Sequence, residues 1–139
     1  MGIISIKTAI VIGCGALGLS AANMLSDAEF EVTAIDKDPS AFAGLDIGFG
    51  GQTVIADGSD IAALEAHGLA DASLVFASTD ADSINYLIAR IASDIFGVGR
   101  VFARIEDEDL ASMLEEGTAQ AICPHKLCVN ELRQLAGIR

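Results

Sequence analysis

Short apolar runs alternate with amphipathic segments along the whole chain, and the two patterns predict different elements. Apolar runs predict six β-strands, at residues 6–12, 30–35, 52–56, 73–78, 100–105 and 119–123. Segments with helical spacing predict helices at residues 16–27, 39–46, 60–67, 84–95, 110–117 and 126–136. Because strands and helices alternate, the pattern predicts a parallel sheet covered by helices on both faces.

Two of the predicted helices carry a clear apolar face. In the first helix this face consists of Leu17, Ala21, Met24 and Leu25. The strongest helical periodicity follows the fourth strand, where one stripe consists of Ile84, Leu87, Ile88, Ile91, Ala92 and Ile95. Spacings of three and four residues are typical of a face that packs on a core. We therefore expect both faces to be buried.

The first predicted strand ends in a glycine-rich turn that leads directly into a helix. Its sequence is Gly13-Cys14-Gly15-Ala16-Leu17-Gly18. Gly13 allows a sharp turn, Gly15 allows a phosphate to approach the backbone, and Gly18 allows the helix to pack closely on the strand. The helix directs free N–H groups and the positive end of its dipole to the same place. The turn therefore predicts a phosphate-binding loop.

A carboxylate at the end of the second strand completes a nucleotide-binding pattern. Asp36 follows the last glycine of the turn by 18 residues. Its oxygens would accept hydrogen bonds from ribose hydroxyls, and its charge would repel a 2′-phosphate, which favours NAD or another adenine nucleotide over NADP. The alternative is a glycine-rich turn without a ligand. We expect a Rossmann-like, doubly wound α/β fold with a six-stranded, mainly parallel sheet, in a single domain over residues 1–139.

Composition restricts the class of protein. The chain has 139 residues, of which eight are basic and 20 acidic, so its formal net charge is −12. This charge argues against binding of nucleic acid, and it requires local backbone donors to hold any polyphosphate. The apolar runs are too short to span a bilayer, and no signal peptide is evident. A cytoplasmic protein is expected.

The cysteines and histidines form no catalytic or metal-binding pattern. Cys14 lies in the glycine turn, while Cys123 and Cys128 are spaced C-x4-C without a second ligand pair. We interpret all three as buried or half-buried thiols in a reducing compartment, in preference to a metal site. His67 and His125 have no nucleophile near them in the sequence. No catalytic or metal-binding residue is predicted.

Further motifs follow the predicted strands over essentially the full length of the chain. Besides the glycine turn they lie at residues 34–39, 56–60, 77–85, 101–105 and 121–124. The most specific is a Thr-Asp-x-Asp-x-x-Asn segment that begins at Thr79. Together these segments resemble the RCK/KTN family, the TrkA-N type of potassium-transport regulator. The resemblance implies a Rossmann-like nucleotide-binding lobe that regulates potassium transport.

The resemblance also implies roles for residues on the adenosine side of the site. Asp36 would hold the adenosine ribose, and Lys37 would lie beside the adenine edge or a phosphate. Asp57 and Gly58 would border the adenine pocket after the third strand. The glycine turn itself, from Gly13 to Gly18, would hold the phosphates.

Other implied roles belong to the fourth and fifth strands. Ser78, Thr79 and Asp80 would lie close to the phosphates or the second ribose, and the amide of Asn85 would fix their loop. Arg104 would contact a phosphate, since its guanidinium group can bind two oxygens at once. The alternative for Arg104 is a surface ion pair with Glu106 or Asp107.

The chain departs from the family pattern in two ways. Many members carry an arginine directly after the second glycine of the turn, where this chain has Ala16. Full-length regulators also continue into a second, C-terminal lobe, which this chain lacks, so it is either a solitary lobe or a fragment. The segment 126–136 would pack on a partner subunit or lead into the missing lobe. The alternative is a terminal helix packed on its own core.

Two functions remain open. The first is a regulatory module, not an enzyme, in which NAD(H), or else ATP, ADP or AMP, changes the geometry of a homo-oligomer that controls a membrane potassium transporter or channel. It would act in the cytoplasm, or peripherally at the inner face of the membrane. The second is an NAD-dependent oxidoreductase domain separated from its substrate domain. Against the second, the chain has no Tyr-x-x-x-Lys pair, and its single tyrosine, Tyr86, lies in a predicted helix.

Overall fold

The computed structural model describes residues 6–139, which form six β-strands and five α-helices. Residues 1–5 of the predicted domain lie outside the described part. The strands are β1 (Thr8–Ile12), β2 (Glu31–Asp36), β3 (Gln52–Ile55), β4 (Leu74–Ala77), β5 (Arg100–Arg104) and β6 (Gln120–Ile122). The α-helices are α1 (Ala16–Asp27), α2 (Ile61–Ala66), α3 (Asp82–Arg90), α4 (Glu108–Glu115) and α5 (Pro124–Leu135). Short 3-10 helices cover Pro39–Gly44 and Leu69–Asp71, and a π-helix over Ile91–Ile95 extends α3.

The six strands form one sheet in the order β3-β2-β1-β4-β5-β6, and every neighbouring pair is parallel. The strand order reverses between β1 and β4, so the loops after these strands separate at one point of the sheet edge. Ile12, the last residue of β1, is in register with Ile35 on one side and Ala77 on the other. This confirms the Rossmann-like doubly wound fold and places a ligand-binding switch point beside the glycine turn.

The sheet separates two apolar cores. On one face Ile12, Ile35 and Val75 pack with residues of α2, α3 and α4, such as Leu64, Ile88 and Leu114. On the other face α1 contributes Ala22 and Leu25, which pack with Val11, Val32 and Phe76. Neighbouring strand residues point to opposite faces, so each strand supplies both cores. In the described residues no helix is long and apolar enough to cross a bilayer.

The predicted buried face of α1 is only partly correct. The helix buries Gly18, Ala22 and Leu25, whereas Met24 is 61% exposed. Because α1 lies over β1 and β2, part of its apolar side borders the outer half of the sheet, which leaves a groove of about 400 Å³. We call this the apolar groove; it is lined by Leu17, Ser20, Ala21, Met24, Leu25, Leu74, Phe76, Phe102 and Ile122.

The predicted stripe after β4 is also interrupted. Ile88 and Ala92 are fully buried as expected, but Ile95 is 70% exposed and Leu87 is exposed as well. The reason for Ile95 is the π-helix, which inserts extra residues into the turn and rotates the following side chains off the α-helical stripe. The buried face of α3 also includes a polar residue, Asn85, which the apolar pattern does not predict.

The C-terminal helix does not pack on the core of its own chain. No residue of α5 is buried, and Leu127, Leu132 and Leu135 are all largely exposed. The interpretation of this segment as an ordinary terminal helix on its own core is therefore wrong. Its apolar side chains remain available for another surface.

Candidate functional site

The turn between β1 and α1 has a geometry that requires glycine at two positions. Gly13 has a φ of +94°, and a Cβ atom there would overlap the carbonyl group of Ser78. A Cβ atom on Gly18 would overlap the carbonyl oxygen of Gly13, so α1 begins in direct contact with the turn. At Gly15 the position of a Cβ atom is open space. The turn therefore leaves room for a ligand beside the N-terminus of α1.

A cavity of about 310 Å³ lies at the carboxyl ends of the strands, next to the switch point. Most of the predicted binding residues line it, namely Gly13, Cys14, Gly15, Asp36, Lys37, Asp57, Gly58, Ser78, Thr79, Asp80 and Arg104. They come from the loops after the first four strands and from the ends of β2 and β5. The fold thus gathers residues that are far apart in the sequence at the place where open α/β sheets bind ligands.

Four residues of the prediction do not line this cavity, namely Ala16, Leu17, Gly18 and Asn85. Leu17 lies in the apolar groove instead, and Gly18 is buried where α1 meets the turn. Ala16 is the exposed first residue of α1. Asn85 is only 1% exposed and lies behind the residues that line the cavity.

Asp36 ties the second strand to the glycine turn. One carboxylate oxygen accepts a hydrogen bond of 2.8 Å from the N–H of Cys14, and the other accepts one of 2.9 Å from the N–H of Asp38. Each carboxylate oxygen can accept a second bond, so both retain capacity for ribose hydroxyls. The arrangement therefore orders the turn and keeps a carboxylate at the cavity wall.

Cys14 is part of the cavity wall and its thiol is buried, as expected, whereas Cys128 is exposed, contrary to the expectation of a buried or half-buried thiol. Cys14 is 2% exposed, and its Sγ lies 3.8 Å from the carbonyl oxygen of Ile35. Burial, and next to it the charge of Asp36, raises the pKa of the thiol to about 12. A neutral thiol is a poor nucleophile and a poor metal ligand. Within residues 6–139 no three His, Cys, Asp or Glu side chains are placed to hold a metal ion.

Carboxylates dominate the charge of the cavity wall. Asp38 accepts hydrogen bonds from the hydroxyl and N–H of Ser40, which lower its pKa. Asp57 accepts the same pair of bonds from Ser59, and these, with a smaller effect of Lys37, lower its pKa too. Both groups are therefore ionised at neutral pH. A bound phosphate must rely on backbone N–H groups and on the few cations of the wall.

Asn85 connects the loop after β4 with the end of β5. Its Oδ1 accepts hydrogen bonds from the N–H of Thr79 at 2.8 Å and from the Thr79 hydroxyl at 2.7 Å. Its Nδ2 donates to the carbonyl oxygens of Thr79 at 3.0 Å and of Arg104 at 2.9 Å. This is the loop-fixing role that the resemblance implied. It makes Asn85 a positioning residue for Thr79 and Arg104.

Asp82, the second aspartate of the Thr-Asp-x-Asp-x-x-Asn segment, strengthens the same connection, although the sequence analysis gave it no role of its own. Its carboxylate accepts hydrogen bonds from the N–H of Glu106, at 3.0 and 3.1 Å, and from the N–H of Asp107, at 2.9 Å. The Thr-Asp-x-Asp-x-x-Asn segment thus has two tasks. Thr79 and Asp80 line the cavity, whereas Asp82 and Asn85 hold two loops together.

Arg104 forms the surface ion pair with Glu106 that was the alternative interpretation, while its contact with a phosphate stays a prediction. It lines the cavity, and its Nε and one terminal nitrogen each lie 3.3 Å from Oε1 of Glu106. The guanidinium group is therefore at the wall but already paired with a neighbouring carboxylate.

Six residues of the wall, five apolar and one acidic, were missed by the sequence analysis. The missed residues are Ile12, Ile35, Asp38, Ala41, Ala56 and Ile84. Ile12 and Ile35 end the strands that precede the glycine turn and Asp36, and this position is the signal that could have identified them. The space between the end of β1 and the loop after β3 is tight, because a Cβ atom on Gly58 would lie 3.0 Å from the side chain of Ile12.

The sequence matches a family model over most of this architecture. The model for the TrkA-N domain covers residues 9–124, from β1 to the first residue of α5. The chain belongs to the TrkA-N family. In this TrkA-N domain the glycine turn, Asp36 and the Thr79–Asn85 connection all fall within the matched region.

Two curated relatives extend the comparison. The Trk system potassium uptake protein TrkA of Streptomyces coelicolor is 35% identical over 106 residues, which are 76% of this chain and 48% of that protein. The TrkA homolog of Methanothermobacter thermautotrophicus is 24% identical over 127 residues, 91% of this chain and 58% of that protein. The chain thus spans about half the length of the curated relatives it matches.

Solved structures share the fold of this TrkA-N domain. The TrkA-N domain of the inner membrane protein ybaL from Escherichia coli has a TM-score of 0.80 at 15% identity, and covers 96% of this chain and 98% of that one. The GsuK channel bound to NAD has a TM-score of 0.79 at 21% identity, and the match covers 97% of this chain and 24% of the channel chain. The Kef CTD of Shewanella denitrificans in its AMP-bound form has a TM-score of 0.72 at 20% identity, and the match covers 94% of this chain and 80% of that one. At these identities the likeness establishes the fold.

Proposed function

We propose that this TrkA-N domain is a regulatory module that binds NAD(H) in the cavity and thereby controls potassium transport by a membrane transporter or channel subunit. The observation that carries the proposal is the meeting of the glycine turn, Asp36 and Arg104 around one cavity at the switch point of the sheet. The relatives are Trk system potassium uptake proteins, which supports potassium transport as the process that is regulated.

The proposed ligand is an adenine nucleotide of low charge. Asp36 favours a free ribose over a 2′-phosphate, and so NAD(H) over NADP(H). Asp36, Asp38, Asp57 and Asp80 on the wall disfavour a highly charged ligand, which supports NAD(H) over ATP. A GsuK channel structure is bound to NAD and a Kef domain structure is bound to AMP, so AMP and ADP are the alternatives to test.

The proposed module does not carry out chemistry on the ligand. A dehydrogenase needs a group that donates or accepts a proton beside the nicotinamide. No histidine or tyrosine of the described residues lines the cavity, and the thiol of Cys14 is neutral. Tyr86 stacks instead with the guanidinium group of Arg90 on α3. These features favour a sensor over an oxidoreductase.

We propose a second copy of the chain as the partner for α5 and for the apolar groove. The helix exposes Leu127, Leu132 and Leu135, and the groove exposes almost purely apolar surface. Ile122 lines the groove and α5 begins only two residues later, at Pro124. Each copy therefore offers both a helix and a groove, as a two-fold symmetric dimer requires.

The ligand would act through the junction between β6 and α5. The N–H of Ile105 donates a hydrogen bond of 3.0 Å to the carbonyl oxygen of Ile122. The thiol of Cys123 lies 3.8 Å from the carbonyl oxygen of Glu106. The loop beside Arg104 is thus connected to the start of α5. Regulation requires a ligand that binds two arrangements of this junction with different affinities.

Calorimetric titration of the purified chain with NAD, NADH, NADPH, ATP, ADP and AMP tests the proposal. We expect NAD or NADH to bind more tightly than NADPH and ATP, without oxidation of NADH across a panel of carbonyl compounds. Steady turnover of any of these compounds would instead support the oxidoreductase. Complementation of a strain that lacks potassium uptake tests the process: the chain, with its membrane subunit, should restore growth at low potassium.

A further inference from the structure

We propose that Glu106 controls the affinity of the cavity for phosphate-bearing ligands by competing with them for the guanidinium group of Arg104. This inference rests on the proposed function, because it concerns the same cavity. It adds a positioning residue that does not line the cavity and acts only through Arg104.

The competition follows from the geometry of the pair. Two nitrogens of Arg104 share a single oxygen of Glu106, each at 3.3 Å, so the pairing is not the two-oxygen arrangement that Arg prefers. The side chains are 36% and 41% exposed, and an ion pair that is this exposed is weak. A phosphate, with several oxygens, can replace the carboxylate at little cost.

Arg104 is the cation on its side of the cavity. Among the described residues of the wall, the other cation is Lys37, which follows β2 and whose charge acts on Asp57. On the side formed by β1, β4 and β5, the glycine turn lines the cavity with Gly13, Cys14 and Gly15 and supplies no cation, and the adjacent Ala16 is uncharged as well. A ligand phosphate on this side therefore depends on Arg104, and each contact of Arg104 with Glu106 opposes it.

The backbone around the pair is held still, so only side chains need to move. Asn85 donates to the carbonyl oxygen of Arg104, and Asp82 accepts two hydrogen bonds from the N–H of Glu106. Displacement of the Glu106 carboxylate therefore leaves both main-chain positions in place. The exchange is local, and it leaves the fold unchanged.

The test is titration of NAD into four variants: Glu106→Gln, Arg104→Gln, the double variant, and Glu108→Gln. Glu108→Gln removes the same charge two residues further on, at an exposed residue of α4. We expect Glu106→Gln to bind NAD about two- to fivefold more tightly, the range of a weak surface ion pair. Glu108→Gln should change the affinity much less, and Glu106→Gln should bring no gain when Arg104 is already Gln.

Three results overturn the inference: equal gains in Glu106→Gln and Glu108→Gln, a gain that persists without Arg104, or weaker binding in Glu106→Gln. Adenosine, which lacks a phosphate, should bind Glu106→Gln and the unaltered chain equally. If the unaltered chain binds no adenine nucleotide, the proposed function fails by itself. The variants are then titrated with pyrophosphate, and the inference also fails unless Glu106→Gln binds it more tightly.

Discussion

The carboxylate of Asp36 accepts a hydrogen bond of 2.8 Å from the backbone N–H of Cys14, which joins the end of β2 to the glycine turn of β1. The residue predicted to hold a ribose is thus also part of the structure that shapes the glycine turn. Changes at Asp36 should affect the ligand through both contacts.

Replacement of Asp36 by Ala should weaken NAD binding by about tenfold or more, that is, by about 1.4 kcal/mol. The loss combines the ribose hydrogen bonds with looser positioning of the turn. Calorimetry measures it, with Asp27→Ala at the exposed end of α1 as a control of equal charge change. Unchanged affinity in Asp36→Ala would show that the ribose is held elsewhere.

Replacement of Asn85 by Ala should lower the free energy of unfolding by about 2–4 kcal/mol, because it leaves partly buried backbone groups without partners and removes a buried side chain. The groups affected are the N–H and carbonyl of Thr79 and the carbonyl of Arg104. Urea unfolding measures the change, and Asn130→Ala on exposed α5 is the matched control. Similar stability of the two variants would contradict the connecting role.

Replacement of Gly13 by Ala should destabilise the chain by about 2 kcal/mol or more, since it combines a positive φ with an overlap at Ser78. Gly48→Ala is the control, because its Cβ position is open and its φ is not positive. We expect that variant to stay within about 1 kcal/mol of the unaltered chain. Thermal unfolding distinguishes the two, and equal midpoints would exclude strain at the turn.

The thiol of Cys14 should resist alkylation at mildly alkaline pH, whereas the exposed Cys128 should react readily. Peptide mass spectrometry after treatment with iodoacetamide reports both sites in one sample. The raised pKa also has a consequence for stability. Above pH 9.0, the ordinary value, the thiol ionises in the unfolded chain alone, so stability falls as pH rises toward about 12. Cys14→Ala should remove this contribution.

Replacement of Leu132 by Glu should weaken self-association by about tenfold or more, or about 1.4 kcal/mol. The side chain is largely exposed on α5, and we expect a second copy to cover it. Sedimentation equilibrium measures the association. Asn130→Glu introduces the same charge on the side of the helix away from Leu132 and Leu135, and should have a smaller effect. A monomeric unaltered chain at all concentrations would remove the dimer from the proposal.

The amino-acid sequence by itself determined the alternation of strands and helices, the parallel sheet, and the residues at the carboxyl ends of its strands. These follow from local features: apolar periodicity, glycines that permit a turn, and a carboxylate placed after a strand. Gly13, Asp36 and Thr79 therefore reach the cavity wall as the sequence predicted.

Only the tertiary structure decided which partners the side chains outside this wall contact. Asn85 and Arg104 are 19 residues apart, and no local sequence pattern indicates the hydrogen bond between them. Periodicity likewise identifies an apolar face but not the surface that covers it. Met24 and Leu135 therefore remain exposed, because the sheet and helices of this chain leave them without a neighbour.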